Sequence, residues 1–162
     1  MSASKEQLLM RLQELGIAAT THQHPAVFTV AEAQKHCSHL PGGHCKNLFL
    51  RDKKKRNWLI VTLSDTRIDL KHLGRQLGVG NFNFASPERL MELLGVTPGS
   101  VTPFALINDS EQRVNVVLDE TLFGFNWLNY HPLVNSATTA IAPDDLLKFI
   151  RACGHEPITV KL

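Results

Sequence analysis

The chain has 162 residues, which is the size of one domain and enough to bury a hydrophobic core without disulfides or a metal. Hydrophobic residues make up 43% of it and charged residues 20%, and this composition excludes an intrinsically disordered protein. The net charge of +2 is too small to identify a nucleic-acid-binding protein by charge alone, so the class of partner stays open. We therefore expect a single domain over residues 1–162.

The N-terminal half predicts two helices and a hairpin. Leucines recur at helical spacing between Ser4 and Gly16, and residues 17–29 indicate an extended stretch broken by Pro25. Thr29 and Glu32 have the spacing of a capping box and predict a short helix to about His36, which a loop over residues 41–43 follows. The runs KNLFLRD (46–52) and NWLIVTL (57–63) then predict a hairpin with a basic tip.

The C-terminal half predicts three helices and four strands. Helices are expected over 68–78, over 86–95 with Ser86 as N-cap, and over 144–154. Strands are expected over 104–109, 113–120, 133–142 and 156–162. Because strands and helices alternate irregularly, we predict an α+β or mixed α/β fold, with one largely antiparallel mixed sheet flanked by helices.

The cysteine content and the lack of long apolar segments favour a cytoplasmic protein. Cys37, Cys45 and Cys153 are odd in number and have no CxxC spacing, which argues against a disulfide framework or a thiolate zinc site. The first 16 residues lack the unbroken apolar core of a signal peptide. No segment approaches the ~18 apolar residues of a membrane span. We expect a protein of the reducing cytoplasm with no membrane partner.

The usual catalytic motifs do not appear in the sequence. His22, His24, His36, His39 and His44 come close together in the chain, but no HExxH or His-plus-carboxylate pattern accompanies them. A GxSxG nucleophile motif is also missing, which leaves Ser100 a weak nucleophile candidate. Cys45 follows His44, but adjacent residues of a strand point to opposite faces, so a packed cysteine is favoured over a nucleophile. We expect neither a metal nor a cofactor.

Two stretches are rich in groups that could contact a ligand. GVTPGSVTPF (95–104) is a stiff loop whose glycines and prolines can present backbone groups, although an ordinary helix-to-strand turn explains it equally well. In residues 124–141, Asn135 and His131 precede a strand whose small residues leave room beside it. A structural histidine is the alternative reading of His131.

Three stretches in order, HCKNLFLRDKKKRNWLIV, GVTPGSVTPFAL and LNYHPLVNSATTAI, resemble the YbaK/ProX family of aminoacyl-tRNA deacylases. The resemblance covers nearly the whole chain and is strongest to freestanding bacterial proteins similar to the editing domain of prolyl-tRNA synthetases. It implies a YbaK-like fold and hydrolysis of the ester in alanine mischarged onto proline tRNA. The implied partner is the acceptor end of mischarged tRNA, and prolyl-tRNA synthetase is a further candidate.

The resemblance also implies a set of site residues. The family's Lys-Asn pair corresponds to Lys46 and Asn47, its GxxxP loop to residues 99–103, and its pocket histidine to His131. The implied catalytic residues are Lys46, Gly99 and His131. The implied substrate contacts are Asn47, Ser100, Val101, Thr102, Pro103, Asn135, Ser136 and Thr138, and the weaker tRNA contacts are Lys53, Lys54, Lys55 and Arg56. For the family's acidic residue, Asp119 and Asp65 both remain candidates.

The substrate has alternatives. A small pocket beside residues 137–139 would exclude larger amino acids by size, as a second editing sieve does. A related deacylase could instead release cysteine from proline tRNA or serine from alanine tRNA. A third possibility is a non-catalytic RNA-binding module that uses the basic tip and exposed aromatics such as Phe82 and Phe84.

Overall fold

The structure is a computed structural model that describes residues 2–162 apart from the side chain of Val30. Its helices are α1 (Lys5–Glu14), α2 (Val30–Cys37), α3 (Leu70–Leu77), α4 (Pro87–Leu94) and α5 (Pro143–Ala152). Its strands are β1 (Ala19–Gln23), β2 (Gly43–Asp52), β3 (Asn57–Leu63), β4 (Phe82–Phe84), β5 (Val114–Asp119), β6 (Leu128–Tyr130), β7 (Ala137–Ile141) and β8 (Ile158–Val160). Short 3₁₀ turns span Pro98–Ser100, Pro103–Asn108 and Glu120–Gly124.

The strands form one mixed sheet in the order β1-β7-β6-β2-β3-β5-β8, and β4 pairs with β2 outside this path. Four of the pairings within residues 2–162 are antiparallel and three are parallel. Helices pack around the sheet, so the predicted mixed α/β class is confirmed. The predicted hairpin is β2 and β3, with the expected tip over residues 53–56.

Side-chain caps explain where three of the helices begin. Ser4 and Gln7 form a reciprocal capping box at α1, and the Ser86 hydroxyl accepts from Arg89 N–H at α4. At α2 the predicted box is only half formed. The Thr29 hydroxyl accepts from Glu32 N–H, but the Glu32 carboxylate accepts from the Thr29 hydroxyl instead of from its backbone N–H.

Three features of the C-terminal half differ from the sequence prediction. The strand predicted over 104–109 is instead a 3₁₀ turn, because Pro103 occupies its first position and the Thr102 hydroxyl accepts from Phe104 N–H as an N-cap. The strand predicted over 133–142 begins only at Ala137. The short strands β4 and β6 were not predicted at all.

Neighbouring residues of β2 point to opposite faces of the sheet and belong to two different hydrophobic clusters. Phe49 belongs to the larger cluster, which also contains Phe104, Phe149 and Tyr130 with ring edges packed on ring faces. Leu50 belongs to the smaller cluster. The hairpin is therefore fixed from both sides and gives a rigid base to the residues along it.

The sheet splits along one edge of β2. On that edge β2 pairs with β6 only at Gly43 and His44, and with β4 only from Leu50 onward. Residues 45–48 have no strand partner there among the residues described, so the backbone groups on this edge of β2 face a gap. Within residues 2–162, no helix combines the length and the apolar character that crossing a membrane requires.

Candidate active site

A cavity of about 270 Å³ opens at the gap beside β2. Residues of α2, β2 and β7 line it together with His131, which follows β6. They include Gln34, Cys37, Lys46, Asn47, His131 and Thr138. Four residues named from the sequence, Lys46, Asn47, His131 and Thr138, therefore lie around one cavity.

Lys46 lies on β2 at the cavity, opposite Thr62 of β3. Within the described part of the chain it forms no salt bridge. The buried carboxylate of Asp119 accepts from the Thr62 hydroxyl at 2.7 Å and from Thr121 N–H at 3.1 Å. Asp119 therefore lies behind the cross-strand partner of Lys46, whereas Asp65, the other acidic candidate, is exposed.

Asn47 links the cavity to the loop that follows α4. Its Nδ2 donates to the Val101 carbonyl at 3.0 Å. Its Oδ1 is buried and has no hydrogen-bond partner among the described residues. Because an unsatisfied buried carbonyl oxygen costs free energy, this atom is available for a donor from a bound molecule.

The loop over residues 99–103 reaches the cavity through that link. Gly99 and Ser100 belong to a 3₁₀ turn that Ser100 N–H closes on the Thr97 carbonyl at 2.9 Å. Thr102 is fully buried and caps the next turn. None of the cavity-lining residues described comes from 99–103. The predicted contact of this loop with substrate stays a prediction.

The imidazole of His131 has a defined tautomer. Its Nδ1 lies 2.9 Å from the Ala137 carbonyl. A carbonyl can only accept, so Nδ1 carries the proton and Nε2 keeps a lone pair. Burial, together with the nearby His24, lowers the pKa of His131 below its ordinary value. At neutral pH the ring is therefore uncharged and can accept a hydrogen bond through Nε2.

The imidazole of His24 also has a defined tautomer, and it contacts Thr138. His24 Nδ1 donates to the Pro25 carbonyl at 2.8 Å, so its Nε2 accepts from the Thr138 hydroxyl at 2.8 Å. The rings of His39, His22, His24 and His131 follow one another with centroids 5.4, 6.3 and 6.2 Å apart. Among residues 2–162, no group of three or more His, Cys, Asp or Glu side chains is arranged to hold a metal ion.

Asn135 and Ser136 hold the chain beside the cavity. Asn135 Nδ2 donates to the Val27 carbonyl at 2.9 Å, and Val27 N–H donates to the Asn135 carbonyl at 3.1 Å. The Ser136 carbonyl accepts from His24 N–H at 3.0 Å. Both residues thus fasten the segment before α2, and their predicted contact with substrate remains to be tested.

Cys45 lines the cavity but is poorly suited to act as a nucleophile. Burial raises the pKa of its thiol to about 11, so the thiolate is scarce at neutral pH. The buried Tyr130 hydroxyl lies beside this thiol and lowers its pKa, but burial is the larger effect. These features agree with the packed cysteine expected from the sequence.

The basic tip lies at the far end of β2 from the cavity. Lys53 lies seven positions after Lys46, which corresponds to about 23 Å of extended chain. Arg56 is partly engaged in the turn itself, because its Nε donates to Asp52 at 2.7 Å. Phe84 is exposed as expected, but Phe82 is buried against Trp58, which contradicts its proposed place among the exposed aromatics.

The sequence did not indicate the part of the cavity wall that α2 supplies. Gln34, Cys37 and Ser38 come from this helix. The caps at Thr29 and Glu32 predict the helix itself but carry no signal about which surface its faces cover.

Comparison with known proteins identifies related chains over nearly the full length. Residues 24–149 match the model of the aminoacyl-tRNA editing domain. The prolyl-tRNA synthetase associated domain-containing protein 1 of Mus musculus is 43% identical, covering 97% of this chain and 95% of that protein. The prolyl-tRNA editing protein ProX of Acetoanaerobium sticklandii is 39% identical, covering 94% and 93%. A solved structure of a candidate trans-editing enzyme for prolyl-tRNA synthetase superposes with a TM-score of 0.75 at 24% identity, covering 100% of this chain and 98% of the other.

Proposed function

The chain belongs to the aminoacyl-tRNA editing family of YbaK/ProX type, and on that premise we propose that it is a trans-editing deacylase that hydrolyses alanyl-tRNA for proline. The observation that carries the proposal is the convergence of Lys46, Asn47 and His131 on one small cavity. The substrate approaches by its acceptor end, and prolyl-tRNA synthetase is the enzyme that would supply the mischarged tRNA. The protein would encounter the mischarged tRNA and the synthetase in the cytoplasm.

Each of the three residues has a role that its surroundings permit. The Lys46 ammonium group, which makes no salt bridge within residues 2–162, contacts a phosphate or the ribose of the terminal adenosine. Asn47 accepts a hydrogen bond from the substrate through the orphaned Oδ1, while its Nδ2 stays on Val101. The Nε2 lone pair of His131 accepts a hydrogen bond from the attacking water.

Hydrolysis then needs little further machinery. The water oxygen bonds to the carbonyl carbon of the ester, the bond to the ribose oxygen breaks, and the water proton ends on that leaving oxygen. Positioning water and ester together and stabilising the oxyanion are effects that accelerate such a reaction strongly without a covalent nucleophile. Cys45 with its raised pKa is not required, and we propose that no metal takes part.

The size of the cavity favours a small amino acid. A volume of about 270 Å³ is below the ~300–1,000 Å³ typical of pockets for drug-sized ligands. The proposal assigns this space to the terminal ribose and a methyl side chain, and it requires that the larger pyrrolidine ring of proline does not fit beside the ribose. The selection of alanine over proline therefore rests on steric exclusion, because a methylene group contributes only ~1–3 kcal/mol of discrimination by attraction.

The test is release of the amino acid from proline tRNA charged with alanine, cysteine or proline, in the presence of EDTA. Rapid loss of alanine alone supports the full proposal. If cysteine is released and alanine is retained, the deacylase assignment stands and the substrate changes. Serine on alanine tRNA is the further comparison. If every ester survives while the tRNA is bound, the protein is an RNA-binding module and the proposal is wrong.

A further inference from the structure

A second cavity of about 270 Å³ lies beside the first and is not used by the proposed reaction. It is lined by His22, Leu40, Trp127, Asn129, Thr138 and Ala140 among others. Asn129 and Thr138 also line the first cavity. Paired strands place Ala140 opposite Asn129 and Thr138 opposite His22, so these four residues share one face of the sheet.

The composition of the second cavity suits a flat ring with a polar edge. Leu40, Pro41 and Ala140 are apolar, and the indole of Trp127 is 37% exposed. Trp127 is held in place through its backbone, because its carbonyl accepts from Gly43 N–H at 2.8 Å. Single-stranded RNA is recognised by stacking unpaired bases on such exposed aromatic rings.

Asn129, which lines both cavities, has an amide whose orientation its hydrogen bonds define. Its Nδ2 has two hydrogens, and both are used, by the Pro41 carbonyl at 3.0 Å and the Gly43 carbonyl at 3.2 Å. Because both partners can only accept, the orientation of the amide is fixed. None of the hydrogen bonds within residues 2–162 ends on Oδ1. That oxygen can accept from an amino group but cannot donate to a carbonyl.

We propose that the second cavity binds a nucleobase of the single-stranded 3′ end of the tRNA, stacked on Trp127, with its exocyclic amino group donating to Oδ1 of Asn129. This rests on the proposed function, which places the aminoacyl ester in the adjoining cavity. The acceptor matches cytosine and adenine, which carry an exocyclic amino group and form the CCA end of tRNA. Uracil and hypoxanthine present a carbonyl at that position, so the site discriminates against them.

The first test uses the wild-type protein and uncharged RNA. The Kd is measured for an acceptor-stem minihelix ending in CCA and for three versions in which one terminal base is replaced, cytosine by uracil or adenine by hypoxanthine. One of the replacements is expected to raise the Kd about fivefold or more, since the hydrogen bond to Oδ1 of Asn129 is lost at that position and two carbonyl oxygens face each other instead. A flat series, with all four Kd values equal, overturns the proposal.

The second test removes the stacking ring. Trp127→Ala is expected to raise the Kd for the CCA minihelix about fivefold or more, and Trp127→Phe to retain most of the affinity. In Trp127→Ala the sensitive base replacement should no longer matter. A thermal melt shows whether the variant is folded, and if it is not, the base-replacement series on the wild-type protein decides the proposal. Trp127→Phe and Trp127→Ala binding like wild type overturns the stacking role.

Failure of this inference differs from failure of the proposed function, because the binding assays use RNA without an amino acid. A protein that hydrolyses alanyl-tRNA but gives a flat series lacks the base site and keeps its activity. A protein that gives the expected series but leaves every ester intact keeps the base site and is not a deacylase.

Discussion

Asn47 Nδ2 donates to the Val101 carbonyl over 3.0 Å, and this bond ties β2 to the loop over residues 99–103. It is the one hydrogen bond within the described residues that joins the lysine-asparagine pair to this loop. The loop itself does not line the cavity, so Asn47 is the residue that links the position of the loop to the cavity.

Asn47→Ala should reduce activity much more than stability. Loss of one partly buried hydrogen bond costs about 1–2 kcal/mol, which a domain of this size tolerates. We expect kcat/KM for alanyl-tRNA to fall more than tenfold. Asn115→Ala is the matched control, because it removes a similar amide-to-carbonyl bond, to Asn57 at 3.2 Å, on β3 and β5. Similar losses of activity in the two variants, measured beside urea denaturation, would contradict the role of Asn47.

The activity should depend on pH through His131. Burial and the proximity of His24 place the pKa of His131 below its ordinary value of ~6.5, so Nε2 becomes protonated only under more acidic conditions. We expect kcat to be insensitive to pH through His131 around neutrality and to fall as the pH drops through this lowered pKa, because the protonated ring can no longer accept. His131→Gln should lack this acidic limb. An unchanged limb in that variant assigns the titration to another group.

Replacing Gly42 should disturb both the turn before β2 and the backbone of Trp127. Gly42 has φ +99°, and a Cβ atom there would overlap the Trp127 carbonyl oxygen. Gly78 also has a positive φ, of +70°, but a Cβ there meets nothing within 4 Å. Gly78→Ala is therefore expected to cost only the ~1 kcal/mol of backbone strain, and Gly42→Ala clearly more. Equal melting temperatures for the two variants would show that the contact with Trp127 is unimportant.

A buried pair far from the cavity should govern acid stability. His155 Nε2 lies 2.8 Å from Asp109 Oδ2, and the two residues are 6% and 2% exposed. Burial alone favours the neutral acid, but hydrogen bonds from His155 and from the N–H groups of Arg113 and Val114 hold the pKa of Asp109 below its ordinary value. Its stabilisation is therefore present above the unfolded-state pKa of ~3.9 and is lost as the pH falls through the lower folded-state value.

Asp109→Asn should lower the free energy of unfolding by about 3 kcal/mol at pH 7. The difference from wild type should shrink below about pH 4, since only the wild-type residue titrates there. Urea denaturation at several pH values measures both effects. A difference that stays constant down to pH 3 would mean that the pair contributes nothing through ionisation.

Local signals predicted most of the fold. Ser4, Ser86 and Pro143 mark helix starts that depend on neighbouring residues alone, and the hairpin follows from two apolar runs around a charged turn. The sequence predicts a strand where the structure has the 3₁₀ turn over residues 103–108. A buried strand and a buried turn have the same apolar composition, so the apolar residues alone do not distinguish them. β6 has only three residues and exists through its pairing with β7 and β2, which no local pattern reveals.

The site was less accessible from sequence than the fold. Resemblance to the family named Lys46, Asn47 and His131, and the structure places these three around one cavity. The wall from α2 and the second cavity depend on how helices and strands pack, so neither could be read from motifs. The tautomer of His131 likewise depends on the Ala137 carbonyl, which only the folded chain places beside it.

Hydrolysis of the aminoacyl ester at this cavity is tested most directly by the deacylation of alanyl-tRNA for proline by Lys46→Ala. Lys148→Ala, on the exposed side of α5, is the matched control because it removes the same charge away from the cavity. We predict that kcat/KM falls about 100-fold or more in Lys46→Ala and changes less than about twofold in Lys148→Ala, with both variants folded. Wild-type activity in Lys46→Ala would contradict the assignment of the active site to this cavity.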